Sequence, residues 1–345
     1  MRILLTADPE IPVPPVGYGG IERIVDALVR EFVARGHAVG LVVNGASRSP
    51  ASQLFPWPGR ASRSRLDTLR NALALRRAVR AFRPDVLHSF SRLAYLLPLL
   101  PLRLPKVMSY QRHTGGRQVS LAARLGGRSL RFTGCSEFIC EQGRPSGGTW
   151  TAIHNFIEPE RFTFVPQVPV DAPLVFLSRI ESIKGADLAI AIARAAGRRL
   201  VLAGNHATSG PEGEFWQARI SPHLGKDGIE WIGEVNDAQK NELLGRAAAL
   251  LVPIQWDEPF GIVFAEALAC GTPVLTCRRG ATPEIVDESS TGFFLRDVEE
   301  GVAAVQRLGK VDRAACRRAA EGRFSARVCT SQYLGLYEEL RATQP

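Results

Sequence analysis

Apolar residues in this chain fall into two alternating patterns. Short dense runs, such as Ile3-Leu4-Leu5, Val39 to Val43, Leu174 to Leu177, Leu200 to Ala203 and Ala249 to Ile254, are bounded by Gly, Pro or polar residues. Runs of that kind read as strands buried on both faces. Between them lie stretches with helical spacing. Ile24, Val25, Leu28, Val29 and Phe32 place one apolar stripe on a helix over residues 21–35, closed by Gly36-His37. Asp85 to His88 and Lys106 to Tyr110 add strands to the first half, and residues 229–235, 274–277 and 292–295 add strands to the second. Strand-helix-strand alternation predicts an α/β protein with parallel sheets covered by helices. The alternation stops over residues 159–173, which hold four prolines, and restarts at Leu174. The expected organisation is a Rossmann-like domain over 1–158, a Pro-rich linker over 159–173, a second such domain over 174–324 and a terminal helix within 325–345.

A length of 345 residues suits two domains of ordinary size, and 45% hydrophobic with 22% charged residues is a globular composition. Six cysteines show no C-x2-C pair, which argues against zinc; they are expected to be buried thiols of a reducing compartment, hence a cytoplasmic protein. Asp8-Pro9 cuts the first apolar run too short for a signal peptide, and Pro98, Pro101 and Arg103 interrupt the stretch from Leu93 to Leu104.

Charge is unevenly placed. Residues 1–170 hold 23 Lys+Arg against 11 Asp+Glu, whereas residues 171–345 hold 20 against 23. Eight arginines between Arg60 and Arg83 face only Asp67, and Leu66, Leu69, Leu73 and Val79 recur there at helical spacing as the expected buried face. The arginines, Arg63, Arg70 and Arg77 among them, then form either a solvated face or a surface for an acidic acceptor or anionic lipid on the inner side of a membrane. No aromatic-interleaved basic motif accompanies the high isoelectric point, so nucleic acid is not the expected partner.

The stretch from Trp256 to Val274 carries the chemistry. After the run 249–254, Pro259 and Gly261 mark a turn, Ile262 to Cys270 reads as a short helix, and Gly271 and Pro273 end it. The first turn of that helix presents unpaired backbone N–H groups, which favour an anion. Glu258 and Glu266 flank it, and carboxylates beside a phosphate site suit sugar hydroxyls. Glu258-Pro-Phe-Gly, with Glu266 eight residues on and Gly271-Thr-Pro-Val after it, resembles the signature of family 4 retaining glycosyltransferases of the GT-B fold.

That resemblance implies further roles. Gly19 and Gly20 match the loop that lets the backbone approach the donor diphosphate, and His113 matches a histidine near the sugar; His88 is the weaker competitor. Arg179 and Lys184 match the basic pair on the diphosphate. Gly204, Gly233 and Val235 fall where such enzymes hold the nucleobase. Glu258, with the backbone of Phe260, Gly261 and Ile262, would hold the sugar, and Glu266 the ribose. His154 and Phe156 depart from the family's turn before the domain break, and the terminal helix would cross back to the first domain. No Asp-x-Asp occurs in the chain, so no resident metal or cofactor is expected. The implied activity is transfer of a sugar, with retention, from a nucleotide diphosphate, UDP by family frequency, to a hydroxyl of a glycan, lipid-linked sugar or small molecule. A nucleotide-sugar epimerase and a non-catalytic binding protein of the same fold are the alternatives.

Overall fold

The computed structural model describes residues 1–17, 19–61 and 64–343. The chain divides into two compact units, Met1–Phe156 together with the segment from Ala326 onward, and Ile157–Ser325.

Unit 1 alternates β1 (Arg2–Thr6), α1 (Gly20–Ala34), β2 (Ala38–Val43), β3 (Gln53–Pro56), α2 (Arg65–Phe82), β4 (Val86–Ser89), α3 (Leu93–Leu96), β5 (Lys106–Tyr110), α4 (Arg117–Gly126), β6 (Leu130–Gly134), α5 (Glu137–Gly143) and β7 (Trp150–Ala152). Among the described residues its strands form one seven-stranded sheet, ordered β3-β2-β1-β4-β5-β6-β7, and every pairing is parallel. The chain runs outward from β1 to β3, then returns to β4 on the other side of β1. Right-handed crossovers therefore put α2 to α5 on the face opposite α1. Their inward residues share one core, with Leu75 and Phe82 of α2, Leu96 of α3, Ala122 of α4 and Cys140 of α5.

Unit 2 repeats the plan with β8 (Leu174–Leu177), α6 (Ala186–Ala195), β9 (Leu200–Ala203), α7 (Gly210–Phe215), β10 (Ile229–Trp231), α8 (Asp237–Arg246), β11 (Ala249–Val252), α9 (Ile262–Ala269), β12 (Val274–Thr276), α10 (Thr282–Ile285), β13 (Gly292–Phe294), α11 (Val298–Gln306) and α12 (Arg313–Arg323). Its parallel strands are ordered β10-β9-β8-β11-β12-β13. The order in which the chain adds strands reverses between β1 and β4 in unit 1 and between β8 and β11 in unit 2. Open parallel sheets bind ligands at the carboxyl ends of strands at such switch points.

The terminal helix α13 (Ala326–Ala342) belongs to unit 1. Its inward stripe includes Cys329, Tyr333, Leu336, Tyr337 and Leu340, and the Tyr337 ring lies 5.8 Å from that of Phe32 on α1. His88 is completely buried between this helix and the sheet, with Nδ1 2.5 Å from the Tyr337 hydroxyl and Nε2 2.6 Å from Ser109 Oγ. Burial pushes its pKa down to about 3, so it is a neutral structural hydrogen-bonder.

Two expectations need correction. Residues 159–173 belong to unit 2, and part of the stretch is tied down there. Thr163 N–H donates to Asn241 Oδ1 at 2.9 Å, Val165 N–H donates to the Cys270 carbonyl at 3.1 Å, and the Val165 carbonyl accepts from Arg313 at 2.7 Å. Prolines there keep the chain extended, but side chains distant in sequence anchor it. The second correction concerns α2. Leu66, Leu69 and Leu73 are 56%, 59% and 42% exposed, while Ala72, Leu75, Ala78 and Phe82 are buried. Leu66 lies nine residues before Leu75, about two and a half helical turns, and so points the opposite way. Asn71 helps to set the orientation, since its side-chain amide bonds both the N–H and the carbonyl of Gly59. Arg63 lies outside the described residues.

Candidate functional site

At the switch point of unit 2, the loops after β8 and β11 are held against each other. Gly185, with φ of 75°, lets the first loop approach closely: a Cβ there would come within 2.1 Å of the Pro253 carbonyl oxygen. Gly280 does the same for Glu258, whose carbonyl oxygen would lie 2.3 Å from an added Cβ. Ala281 N–H donates to that carbonyl at 2.8 Å, so the backbone of Glu258 is fixed.

These approaches bring Lys184 to Glu258. Lys184 Nζ lies 2.5 Å from Glu258 Oε2, with side-chain exposures of 11% and 13%. Trp256 Nε1 donates to the same carboxylate oxygen at 2.8 Å, and the Lys184 ammonium stands 4.7 Å from the Trp256 ring centre. Cation, carboxylate and indole thus restrain one another. Arg179 is held differently, half exposed and paired with Glu181 on the same loop. The two basic residues matched as one pair therefore differ: Lys184 is inward and fixed, Arg179 outward.

Helix α9 starts directly after this group. Gly261 adopts the left-handed conformation with φ of 87°, no side chain caps the helix, and no acidic residue occupies its first turn. Its N-terminus offers backbone donors and positive partial charge. The Phe260 side chain packs into the core, edge-on to Phe324 at 5.7 Å, which leaves the neighbouring backbone to define the surface. Glu266, further along α9, forms an ion pair with Lys240 of α8. After β9, Gly204 donates its N–H to the Gly233 carbonyl at 2.8 Å and accepts from Trp231 Nε1 at 2.9 Å. Val235 is half-buried in the loop that leads into α8.

In unit 1, Gly19 precedes α1 and Gly20 opens it. His113 is exposed after β5 and bonds the Gln142 side chain. Asp8, a residue missed at the sequence level, follows β1 at the switch point. One of its carboxylate oxygens, Oδ1, is buried without a hydrogen-bond partner, and burial together with the neighbouring Glu10 carboxylate raises its pKa to about 6. Glu22, buried in the first turn of α1, is also raised by burial, with Asp8 and Glu10 adding to the shift. Arg92 and Arg112 oppose the rise at Asp8. Asp8-Pro9-Glu10 immediately after a strand was the available signal.

The raised pKa has a measurable sign. A carboxyl whose folded pKa exceeds its unfolded value near 3.8 leaves stability intact at lower pH and loses it as pH climbs through about 6. Asp8→Asn is therefore expected to stabilise the fold at pH 8 by on the order of 2 kcal/mol and to bring no gain near pH 4. Thermal unfolding at both pH values tests this; an identical shift at both would remove the charge from the account.

Two parallel doubly wound units, each with its switch-point loops, are the GT-B architecture. A model of the glycosyl transferases group 1 matches residues 166–321 and one of glycosyltransferase family 4 matches residues 18–161, so that most of the chain is covered. The chain belongs to the group 1 glycosyltransferases and is an enzyme of that class. Among its relatives, glycogen synthase of Mycobacterium tuberculosis is 28% identical across 94% of this chain and 89% of that protein. AviGT4, a glycosyltransferase involved in avilamycin A biosynthesis, superposes with a TM-score of 0.72 and 26% identity over 99% of this chain and 98% of its own. The fold is also that of Anabaena Alr3699/HepE, solved in complex with UDP-glucose, at a TM-score of 0.71 and 18% identity over 98% of this chain and 100% of that one.

Among the described residues, no group of three or more His, Cys, Asp or Glu side chains is placed to hold a metal, and no helix is long and apolar enough to cross a membrane. Sequence reasoning missed Trp256 as a partner of Glu258 and Lys240 as a partner of Glu266. Nothing in the local pattern around Lys240 points to Glu266, 26 positions away.

Proposed function

We propose that this enzyme transfers the sugar of a UDP-sugar to an acceptor hydroxyl, releasing UDP, with retention of configuration and without a metal ion. The observation that carries the reading is the Lys184–Glu258 pair, at 2.5 Å and nearly buried, beside the uncapped start of α9. As the bond between the sugar and the diphosphate breaks, negative charge grows on the leaving group. Lys184, Arg179 and the first amides of α9 stabilise that charge, the role a divalent cation fills in sugar transferases that carry Asp-x-Asp. Glu258 and the backbone of Phe260, Gly261 and Ile262 address sugar hydroxyls, and Glu266 the ribose. Gly204, Gly233 and Val235 lie on the nucleobase side. The family resemblance assigns Gly19 and Gly20 to the diphosphate and His113 to the sugar.

The acceptor oxygen forms its bond to the anomeric carbon on the face the diphosphate leaves, and its proton passes to the departing phosphate oxygen. The UDP assignment is supported by the fold relatives solved with UDP or UDP-glucose.

A panel of UDP-, GDP- and ADP-sugars, assayed by mass spectrometry for the nucleotide set free, tests the reading. UDP release that persists in excess EDTA is the expected result. Preferential release of another nucleotide would overturn the donor, and activity lost in EDTA but restored by Mg²⁺ or Mn²⁺ would overturn metal independence. An altered sugar formed without acceptor would point to an epimerase.

A further inference from the structure

The outer face of the α2–α4 layer has no part in the proposed reaction. On α2, Leu66, Leu69 and Leu73 follow one another at helical spacing and are 56%, 59% and 42% exposed. Arg70, Arg77 and Arg80 are also exposed and lie on the same side of the helix, at angles that interleave with the leucines. The pattern recurs on α4, where Leu121 and Leu125 are 45% and 43% exposed beside the exposed Arg117 and Arg124. Both helices pack their other sides into one core, so the two leucine rows belong to the same face of the sheet.

Acidic residues offset little of the charge. Residues 60–128 contain fifteen Lys+Arg and only Asp67 and Asp85. Asp67 accepts from the backbone N–H groups of Arg60 and Ala61 and lies 3.6 Å from the Arg70 guanidinium, and Asp85 accepts from the backbone N–H of Arg2. A merely solvated basic helix accounts for the arginines but not for rows of outward leucines on two helices of the same face. Single exposed leucines are ordinary; aligned rows set among cations are the pattern of an interfacial helix. A nucleic-acid surface would present aromatic groups for bases to stack on, and none lies in these rows.

We propose that this face docks on an anionic lipid bilayer, with the leucines of α2 and α4 entering the acyl boundary and the interleaved arginines at the headgroup phosphates. The proposal does not depend on which nucleotide the enzyme uses. It places the enzyme against a membrane surface, where a lipid-linked acceptor would be presented.

Sedimentation of the full chain with vesicles of neutral phosphatidylcholine, with or without phosphatidylglycerol, tests it. Binding should require the anionic lipid and fall steeply at about 0.5 M salt, where the screening length is shorter than the ~8 Å of physiological ionic strength. Arg70→Gln with Arg77→Gln should weaken binding by about tenfold or more. Leu69→Gln with Leu73→Gln should weaken it as well at unchanged charge. All four positions are exposed, so nucleotide affinity and melting temperature should stay at wild-type values. Absence of wild-type binding to anionic vesicles would overturn the proposal. Binding that follows the arginines but ignores the leucines would overturn insertion and leave an electrostatic dock for any polyanion, an acidic protein included.

Discussion

Lys184→Met should lower sugar transfer by about 10²–10³-fold, the usual consequence of removing a group that stabilises charge in the transition state. Methionine keeps most of the aliphatic stem beside Trp256, so packing changes little while the ammonium is lost. Glu258 then keeps Trp256 Nε1 at 2.8 Å but loses the cation at 2.5 Å. A nearly buried carboxylate without its partner also costs stability. Melting curves must therefore accompany the kinetics. Lys184→Met combined with Glu258→Gln separates the two effects, because it removes both charges together. The double variant should recover much of the lost stability and none of the lost activity. Wild-type kcat/KM in the single variant would take Lys184 out of the reaction.

Arg313→Met should destabilise the protein by about 3–5 kcal/mol, because it strands several buried acceptors at once. Arg313 opens α12 and is only 8% exposed. Its guanidinium donates to the carbonyls of Val165 at 2.7 Å, Ala247 at 2.9 Å and Gly245 at 2.9 Å, and to Thr272 Oγ1 at 2.9 Å. A planar fork with five donors reaches this many acceptors from one rigid group; an ammonium does not. Arg313→Lys is accordingly expected to fall between wild type and Arg313→Met in urea unfolding. Because one of these bonds anchors Val165, proteolysis within residues 159–173 should also quicken in the methionine variant. Wild-type unfolding midpoints and unchanged cleavage would show that the network contributes nothing.

Much of the architecture was legible before any coordinates. Strands buried on both faces leave dense apolar runs, so 2–6, 106–110 and 174–177 stand out, and the restart at Leu174 announces a second unit. The Glu258–Glu266 stretch was readable because its turn, helix start and both carboxylates lie within one short segment. Its partners were not. Lys184 was identified as a cation for the diphosphate, yet its fixed contact is with Glu258, 74 positions on. Lys240 reached no expectation, because its tie to Glu266 exists only once α8 and α9 lie side by side.

The face of α2 shows the same limit. Two apolar stripes half a turn apart fit a helix equally well by periodicity, and of the four residues chosen from the sequence Val79 packs against the core whereas Leu66, Leu69 and Leu73 lie on the exposed side. Packing against the sheet, with Asn71 fixing Gly59, decided between them. The prolines of 159–173 signal an extended chain, but whether that chain is free or fastened depends on Arg313 and Asn241, far away in sequence. Asp8 likewise becomes unusual only when folding buries it and places it near Glu10 and Glu22. What the sequence by itself determined here are local regularities: strand runs, helix starts, turn residues and short motifs. Which side of a helix is buried, which charges pair and which carboxyl is strained were decided by tertiary structure, since desolvation and close approach depend on residues that the chain order does not bring together.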